Sequence, residues 1–248
     1  MAATAARQYL DHAQAALASV ASTQLEAIAS AATLLADAFE AGRTAYAFGA
    51  SHSFVLAEEL VYRTGGLMLV NPIYPHGMNL SVRPMTMTSK LERIEGLGRE
   101  LLAGSAAQEG DVLIVASTSG RNAVAIDMAL EARERRVRTI GITSLAYTQG
   151  VTSRHTSGLK LVDLCDVVLD NGAPLGDACV EVAGFAQRVG PLSTVLGCAV
   201  VNAVAAEVAA ELVRRGIEPP VFMSANLDAG DAYNARLLAA NRARIHYM

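Results

Sequence analysis

The sequence predicts an α/β fold in which a five-stranded parallel sheet lies between two layers of helices. The first observation is a set of short apolar runs, at 44–48, 67–70, 112–116, 139–142 and 166–169. The second is that stretches with helical spacing of apolar residues separate most of these runs. Short apolar strands that alternate with helices are typical of a parallel sheet covered on both faces. We therefore expect a three-layer αβα sandwich.

Two helices are expected ahead of the first strand, packed on the sheet. Residues 4–41 are rich in Ala, Leu and Gln, and apolar residues recur with helical spacing between 25 and 35. The two helices should part near 19–22, and Gly42 should end the second one. Further helices are predicted at 54–64, 90–103, 122–135 and 191–215, whereas 85–89 and 148–158 are expected to be loops.

The composition indicates a packed globular protein. Of the 248 residues, 52% are hydrophobic and 18% are charged, and the formal net charge is −4. This balance gives no reason to expect nucleic acid or an anionic membrane as a partner. Because no linker or change of composition divides the chain, we expect one domain over 1–248, with a helical segment at 4–41 and a C-terminal tail at 216–248.

The cysteine pattern favours a cytoplasmic protein. Three cysteines lie far apart and share no C-x-x-C spacing, which fits reduced thiols rather than a disulfide framework. The N-terminus does not have the shape of a signal peptide, because Asp11 and His12 interrupt it. No cofactor is expected, and no metal either, since the sequence has no H-x-x-x-H or cysteine pair.

One stretch, 195–213, resembles a membrane span because it is rich in Ala and Val. It also contains Asn202, Glu207 and Glu211, and each carboxylate at mid-membrane depth costs about 2.5–3.5 kcal/mol. We therefore interpret this stretch as a helix that is covered by protein, from the same subunit or from a neighbouring one.

A hydroxyl-rich turn follows the third predicted strand and precedes a predicted helix. Its residues are Ser117, Thr118, Ser119 and Gly120, and Asn122 follows in the first helical turn. The N-terminus of a helix offers unpaired N–H groups and a partial positive charge, so it attracts anions. The glycine allows the backbone to approach a ligand closely. The turn therefore predicts a phosphate site, and the alternative is that Ser119 only caps the helix.

A similar turn follows the first predicted strand, from Gly49 through Ser51, His52 and Ser53. In an open α/β sheet, ligands bind outside the carboxyl ends of the strands, where both turns must lie. The serines have the chemistry to bind sugar hydroxyls or to cap the helix. His52 is a candidate acid–base residue, although a lone histidine is more often structural.

The helix after this turn carries two adjacent carboxylates, Glu58 and Glu59. A carboxylate in a partly dry cleft is able to remove a proton next to a carbonyl, as sugar isomerisation requires. Glu59 and Arg63 also have the i, i+4 spacing of an ordinary exposed ion pair. Both glutamates flank the apolar face equally, so periodicity alone does not choose between them.

The sequence resembles the SIS (sugar isomerase) family over roughly residues 40–215, which implies a flavodoxin-like fold. The most specific signature is the phosphate loop with its helix and following strand, STSGRNAVAIDMALEARERRVRTIGITS. The first turn and helix, GASHS and AEELVYR, are similar to bacterial sedoheptulose 7-phosphate isomerases. Over its whole length the chain more closely resembles a group of SIS domain-containing proteins, in which segments such as TSKLERIEG, VTSRHTSG and DNGAPLGDA look characteristic.

The resemblance implies roles for particular residues. In the heptose isomerases, the second glutamate of the A-E-E-L segment acts in proton transfer and the arginine contacts the substrate. The match carries these roles to Glu59 and Arg63, and places Ser51 at the substrate. Those enzymes also use a histidine on a late helix, but this chain has none between His155 and His246.

A third polar segment, Ser153, Arg154 and His155, follows the fourth predicted strand and is expected at the ligand edge. Together the motifs predict a protein that binds a phosphorylated sugar and interconverts an aldose phosphate and a ketose phosphate by proton transfer. Two alternatives stay open. One is a non-catalytic sugar-phosphate-binding module or sensor, and the other is a lyase or etherase that acts on a phosphorylated amino sugar. The resemblance also implies a homodimer or homotetramer.

Overall fold

A computed structural model describes residues 4–248. Its centre is a sheet whose strands are β1 (Ala45–Gly49), β2 (Val70–Pro72), β3 (Val112–Ala116), β4 (Arg138–Thr143) and β5 (Val167–Asp170). The strands are all parallel and lie in the order β2-β1-β3-β4-β5. The predicted five-stranded parallel α/β fold is therefore confirmed.

Alternate residues of each strand point to opposite faces of the sheet, and both faces are buried. In β1, Ala45 and Ala47 belong to one hydrophobic core, whereas Tyr46 and Phe48 belong to the other. Every residue of β1 and β3 is buried. This explains why these strands are continuous apolar runs rather than alternating ones.

Helices cover each face. The described helices are α1 (Ala5–Thr23), α2 (Leu25–Glu40), α3 (Phe54–Leu60), α4 (Thr88–Leu91), α5 (Leu97–Ala103), α6 (Ala123–Glu134), α7 (Leu145–Gln149), α8 (Ser193–Arg214) and α9 (Gly230–Ala240). The N-terminal helices α1 and α2 pack on one face together with α3 and α8. Helices α5 and α6 pack on the other.

Several predicted boundaries were wrong. The predicted helix 90–103 is two helices, α4 and α5, because Gly96 has a positive φ of 86° and the chain turns there. The predicted helix 54–64 stops at Leu60, and Tyr62 lies in the left-handed region. The break between α1 and α2 falls at Gln24 rather than near 19–22.

A short antiparallel hairpin, made of β6 (Ala178–Val180) and β7 (Val189–Pro191), was not predicted. Each of its strands has three residues, too few to show a period of two. Part of each predicted loop is helical instead, since α4 begins at Thr88 and α7 ends at Gln149.

The C-terminal segment is tied to the edge of the sheet beside β2. The backbone carbonyl of Arg244 accepts hydrogen bonds from Thr44 Oγ1 at 3.1 Å and Asn71 Nδ2 at 3.0 Å. The Tyr247 hydroxyl donates to the carbonyl of Met68 at 2.8 Å. Residues far apart in the sequence thus complete the packing around β1 and β2.

By length and apolar character alone, α8 is long enough to cross a membrane, and half of its most apolar window is buried inside the protein. The helix contacts α1, α2 and α3. These contacts agree with its interpretation as a helix covered by protein, because core helices of soluble proteins pass the same test.

Candidate functional site

A cavity of about 240 Å³ lies over the carboxyl ends of β1 and β3. The two strands are neighbours, with Gly49 opposite Ala116. From this point the chain continues to β2 on one side and to β4 on the other, so the cavity lies at the topological switch point of the sheet. Its lining consists of residues 50–53 and 117–119, with Glu92, Asn122, Tyr147, Asp177 and Ser193.

The turn after β3 is held in shape by its own backbone. The N–H of Ser117 donates to the carbonyl of Ile142 at 2.9 Å, and the N–H of Gly120 donates to the carbonyl of Ser117 at 3.0 Å. Gly120 has a φ of 62°, and a Cβ there would lie 3.2 Å from Thr143 Oγ1. A side chain would be strained at this position, which is why the turn needs glycine.

The same turn leaves hydrogen-bond donors free. Five donors make no hydrogen bond within residues 4–248. They are the backbone N–H groups of Thr118 and Ser119 and the hydroxyls of Ser117, Thr118 and Ser119. The residue that precedes α6 is Asn122, and its side chain makes no capping bond. The alternative that Ser119 only caps the helix is therefore wrong. Half-buried donors without partners, just ahead of a helix, have the chemistry to bind an anion.

The turn after β1 brings Ser51, His52 and Ser53 to the opposite wall of the cavity. Gly49 is required there, because a Cβ at this position would lie only 2.2 Å from the carbonyl oxygen of Ser53. Ser51 has a φ of 55°, and its N–H donates to the carbonyl of Met78 at 2.8 Å. His52 is exposed. The two predicted turns therefore do meet at one cavity.

Glu92 lines this cavity, although the sequence placed it inside a helix and assigned it no role. Its Oε2 accepts a hydrogen bond from Asn122 Nδ2 at 2.6 Å, and Asn122 Oδ1 in turn accepts from Arg154 Nη1 at 2.9 Å. Burial raises the pKa of the Glu92 carboxyl, against the opposing effects of the Asn122 hydrogen bond and the charges of Arg93 and Arg154. The membership of Glu92 in the TSKLERIEG segment was the one signal that pointed to it.

Asp177 is the other carboxylate of the lining. Its Oδ1 accepts from the N–H groups of Leu192 at 3.0 Å and Ser193 at 2.7 Å. Its Oδ2 accepts from the Ser193 hydroxyl at 2.7 Å. Asp177 therefore fixes the start of α8 at the rim of the cavity, and both of its oxygens are occupied.

Glu59 and Arg63 do not line the cavity. Glu59 Oε1 accepts hydrogen bonds from the guanidinium of Arg63 and from Asn202 Nδ2, the latter at 2.7 Å. These contacts place the Glu59 carboxylate in the groove between α3 and α8. The pair is the i, i+4 ion pair that the spacing allowed, and the role of Glu59 in proton transfer stays a prediction.

The three predicted residues that follow β4, Ser153, Arg154 and His155, differ in their contacts. The Ser153 hydroxyl donates to the carbonyl of Leu159 at 2.7 Å, and His155 Nε2 hydrogen-bonds the buried Asp127 at 3.2 Å. Neither residue belongs to the cavity lining. Arg154 reaches the lining through Asn122. The side chains of Ser153 and His155 thus hold the loop together, and the expected place of this segment at the ligand edge stays a prediction.

Among residues 4–248, no group of three or more His, Cys, Asp or Glu side chains is arranged to hold a metal ion. The three cysteines are free thiols. Burial raises the pKa of Cys165 to about 12, so this thiol is not a reactive one.

Comparison with solved structures shows a shared fold. A phosphoheptose isomerase from Neisseria gonorrhoeae superposes with a TM-score of 0.54 at 16% identity, over 81% of this chain and 95% of that one. A phosphoheptose isomerase from Francisella tularensis gives a TM-score of 0.52 at 18% identity, over 81% of this chain and 94% of that one. Identities this low establish the architecture alone.

Sequence comparison is more specific. A UPF0309 protein of Shouchella clausii is 44% identical over 90% of this chain and 91% of its own length. One from Streptomyces coelicolor is 44% identical over 98% of this chain and 97% of its own. Residues 8–144 match the family described as the SIS domain. This chain, with its two serine turns at one sheet edge, therefore belongs to the SIS domain family, among the UPF0309 proteins.

Proposed function

We propose that the protein binds a phosphorylated sugar in the cavity over β1 and β3, and that it interconverts an aldose phosphate and a ketose phosphate. The observation that carries this proposal is the set of free donors at Ser117, Thr118 and Ser119. Hydrogen bonds to a charged acceptor are about twice as strong as those between neutral groups. A phosphate is therefore the ligand that gains most from this turn.

The rest of the cavity suits a small polar ligand. Its volume of about 240 Å³ is below the range typical of drug-sized ligands. Opposite the phosphate turn, the hydroxyls of Ser51 and Ser53 and the imidazole of His52 make no hydrogen bond within residues 4–248. Hydroxyls of a sugar would pair with these groups.

Relatives in fold guide the choice of ligand. The two solved structures named above are phosphoheptose isomerases. The present chain has no histidine on α8, and the heptose enzymes are expected to use one there. We therefore propose sugar phosphates as the class of ligand and do not assign a heptose.

A binding module without catalysis is the second candidate. The observation that favours it is the position of Glu59, whose carboxylate is held in the groove between α3 and α8 by Arg63 and Asn202 rather than in the cavity. Under either candidate, we propose that the protein acts in the cytoplasm as a homodimer or homotetramer.

The test is a thermal-shift screen of the purified protein with sugar phosphates, each paired with the corresponding unphosphorylated sugar. A ligand that binds only the folded state raises stability by RT ln(1 + [L]/Kd), so even a weak ligand shifts the Tm when it is in excess. We expect shifts with phosphorylated sugars only. Equal shifts with the plain sugars, or none with any phosphorylated one, would contradict the proposal.

A further inference from the structure

We propose that Glu92 is the acid–base residue of this cavity and moves the proton between the two carbons of the sugar. The inference rests on the proposed isomerase function and assigns its central step. It is carried by the position of the Glu92 carboxyl in the cavity lining and by its pattern of hydrogen bonds.

Only two carboxylates, Glu92 and Asp177, line the cavity in the part of the chain that the structure describes. The Asp177 carboxylate is already hydrogen-bonded within the protein, since its two oxygens accept three hydrogen bonds from Leu192 and Ser193. Glu92 uses Oε2 for Asn122, whereas its Oε1 has no hydrogen-bond partner in residues 4–248. One carboxylate oxygen is therefore free to meet a ligand.

Glu92 is held at a fixed place relative to the phosphate turn. Its backbone carbonyl accepts a hydrogen bond from the N–H of Val124 at 3.1 Å, and its side chain is bonded to Asn122. Both partners lie at the start of α6, directly after the turn. A base must be placed accurately against the bond that it breaks. A substrate whose phosphate is bound at Ser119 would thus present its sugar end to a carboxylate of known position.

The environment makes Glu92 a better base than an ordinary surface glutamate. Burial raises the pKa of its carboxyl, and a general base is most effective when its pKa approaches the working pH. Arg154 does not form an ion pair with Glu92, because its guanidinium donates to Asn122 Oδ1 instead. The carboxylate is thereby oriented without being neutralised by direct contact.

The other candidates are less well placed. Glu59 is occupied by Arg63 and Asn202 in a groove outside the lining. His52 is in the lining but exposed to solvent. His52 is therefore suited to exchange protons with the sugar oxygens, whereas removal of a proton from carbon favours a base that is shielded from water.

The step balances without a further reactant. Glu92 Oε1 accepts the proton from C2 of the aldose, and the electrons of that C–H bond form a C1=C2 double bond. The π electrons of the C1 carbonyl move to the C1 oxygen, which gives an enediolate. The C1 oxygen then takes a proton from water or from His52. As the C2 carbonyl forms, the O2 hydroxyl gives its proton to the same water or His52 that protonated the C1 oxygen, and the protonated Glu92 returns its proton to C1 to give the ketose. No oxidant or metal is consumed in this sequence.

The experiment measures deuterium uptake from solvent into carbon of a sugar phosphate that shifts the Tm. Wild type, Glu92→Gln, Glu59→Gln and the control Glu100→Gln are compared. Glutamine still accepts the bond from Asn122 but is not able to take a proton. Exchange should fall by about 10² or more in Glu92→Gln while the thermal shift persists. Glu100 is exposed on α5, so its variant should match wild type.

Each other outcome overturns a defined part of the argument. Full exchange in Glu92→Gln, or its loss only in Glu59→Gln, overturns the assignment of Glu92 and leaves the isomerase intact. Binding without exchange in wild type overturns the isomerase and Glu92 together, in favour of the binding module. Absence of any thermal shift removes the sugar-phosphate site itself. If Glu92→Gln does not fold, Glu92→Asp keeps the carboxyl one methylene shorter and should show reduced but measurable exchange.

Discussion

Ser119 offers the cavity two donors, a backbone N–H and a hydroxyl, while its carbonyl oxygen accepts from Thr148 Oγ1 at 3.1 Å. The carbonyl contact keeps the turn in place whatever the side chain is. The hydroxyl is thus free for a ligand, and the architecture does not depend on it. The binding role and the structural role of this residue are separable by mutation.

We expect Ser119→Ala to weaken binding of a sugar phosphate at least tenfold without unfolding the protein. A hydrogen bond to a charged group is worth about 1.5–3 kcal/mol, which corresponds to tenfold or more in Kd. Titration calorimetry with a ligand from the thermal-shift screen measures the change. Ser30→Ala, on the exposed side of α2, serves as a control. Unchanged affinity in Ser119→Ala would remove the phosphate assignment.

Glu92 should also make the free energy of unfolding depend on pH. Burial raises its pKa in the folded protein above the value in the unfolded chain. As the pH rises, the unfolded chain loses this proton first, so the free energy of unfolding falls across that window. Below the unfolded pKa, both states are protonated and the penalty vanishes.

The expected result is that Glu92→Gln gains stability relative to wild type as the pH rises from 4 to 8. Urea denaturation of the unliganded proteins at both pH values measures it, and the difference between variant and wild type isolates this group from the others that titrate. A constant difference across the pH range would show that the carboxyl has an ordinary pKa.

At the scale of single elements, the start of α8 depends on a residue from another segment. Leu192, which precedes the helix, provides no side-chain cap. Asp177 supplies the cap instead. Its carboxylate accepts hydrogen bonds from the N–H groups of Leu192 and Ser193 and from the Ser193 hydroxyl. A carboxylate at a helix N-terminus also interacts favourably with the helix dipole.

Asp177→Ala should therefore lower the free energy of unfolding by about 2 kcal/mol or more, because three donors lose one charged acceptor. Urea denaturation gives this value. Asp228→Ala, in the exposed segment before α9, is the matched control and should stay within about 0.5 kcal/mol of wild type. Equal stability of both variants would mean that water replaces Asp177.

The elements that sequence patterns predicted well are those whose burial is uniform. Strands β1 and β3 are buried at every position, so their apolar runs located them within one residue. The turn between α4 and α5 falls at Gly96, and contacts from far along the chain hold it there. The N–H of Gly96 donates to Asp127 Oδ2, and the carbonyl of Glu92 accepts from the N–H of Val124. A local apolar pattern does not show such contacts, so the turn was missed. For the same reason the sequence found both serine turns but not the carboxyl of Glu92 between them.

At the scale of the whole molecule, some large apolar side chains are exposed on the surface. The tip of the β6–β7 hairpin presents Phe185, which is 58% exposed, together with Val182. Exposed apolar patches of this kind often mark contacts between proteins. They agree with the homodimer or homotetramer that we propose.

We expect light scattering coupled to size exclusion to give two or four times the chain mass of 25.9 kDa. Phe185→Asp should shift the distribution towards smaller species if the hairpin takes part in the contact, because burying the new charge is unfavourable. The exposed Leu25→Asp, at the start of α2, provides the comparison. A monomer at micromolar concentration for wild type would contradict the oligomer.

The bonds from Thr44 and Asn71 to the carbonyl of Arg244 join segments about 200 and 173 residues apart. During synthesis, β1 and β2 leave the ribosome long before residues 244–247 do. Translation adds about 5–20 residues per second, so the polar groups of Thr44 and Asn71 lack their hydrogen-bond partner for on the order of ten seconds or longer. Over that interval the nascent sheet keeps an unfinished edge, so the edge beside β2 is where a chaperone or a misdirected strand would meet the growing chain.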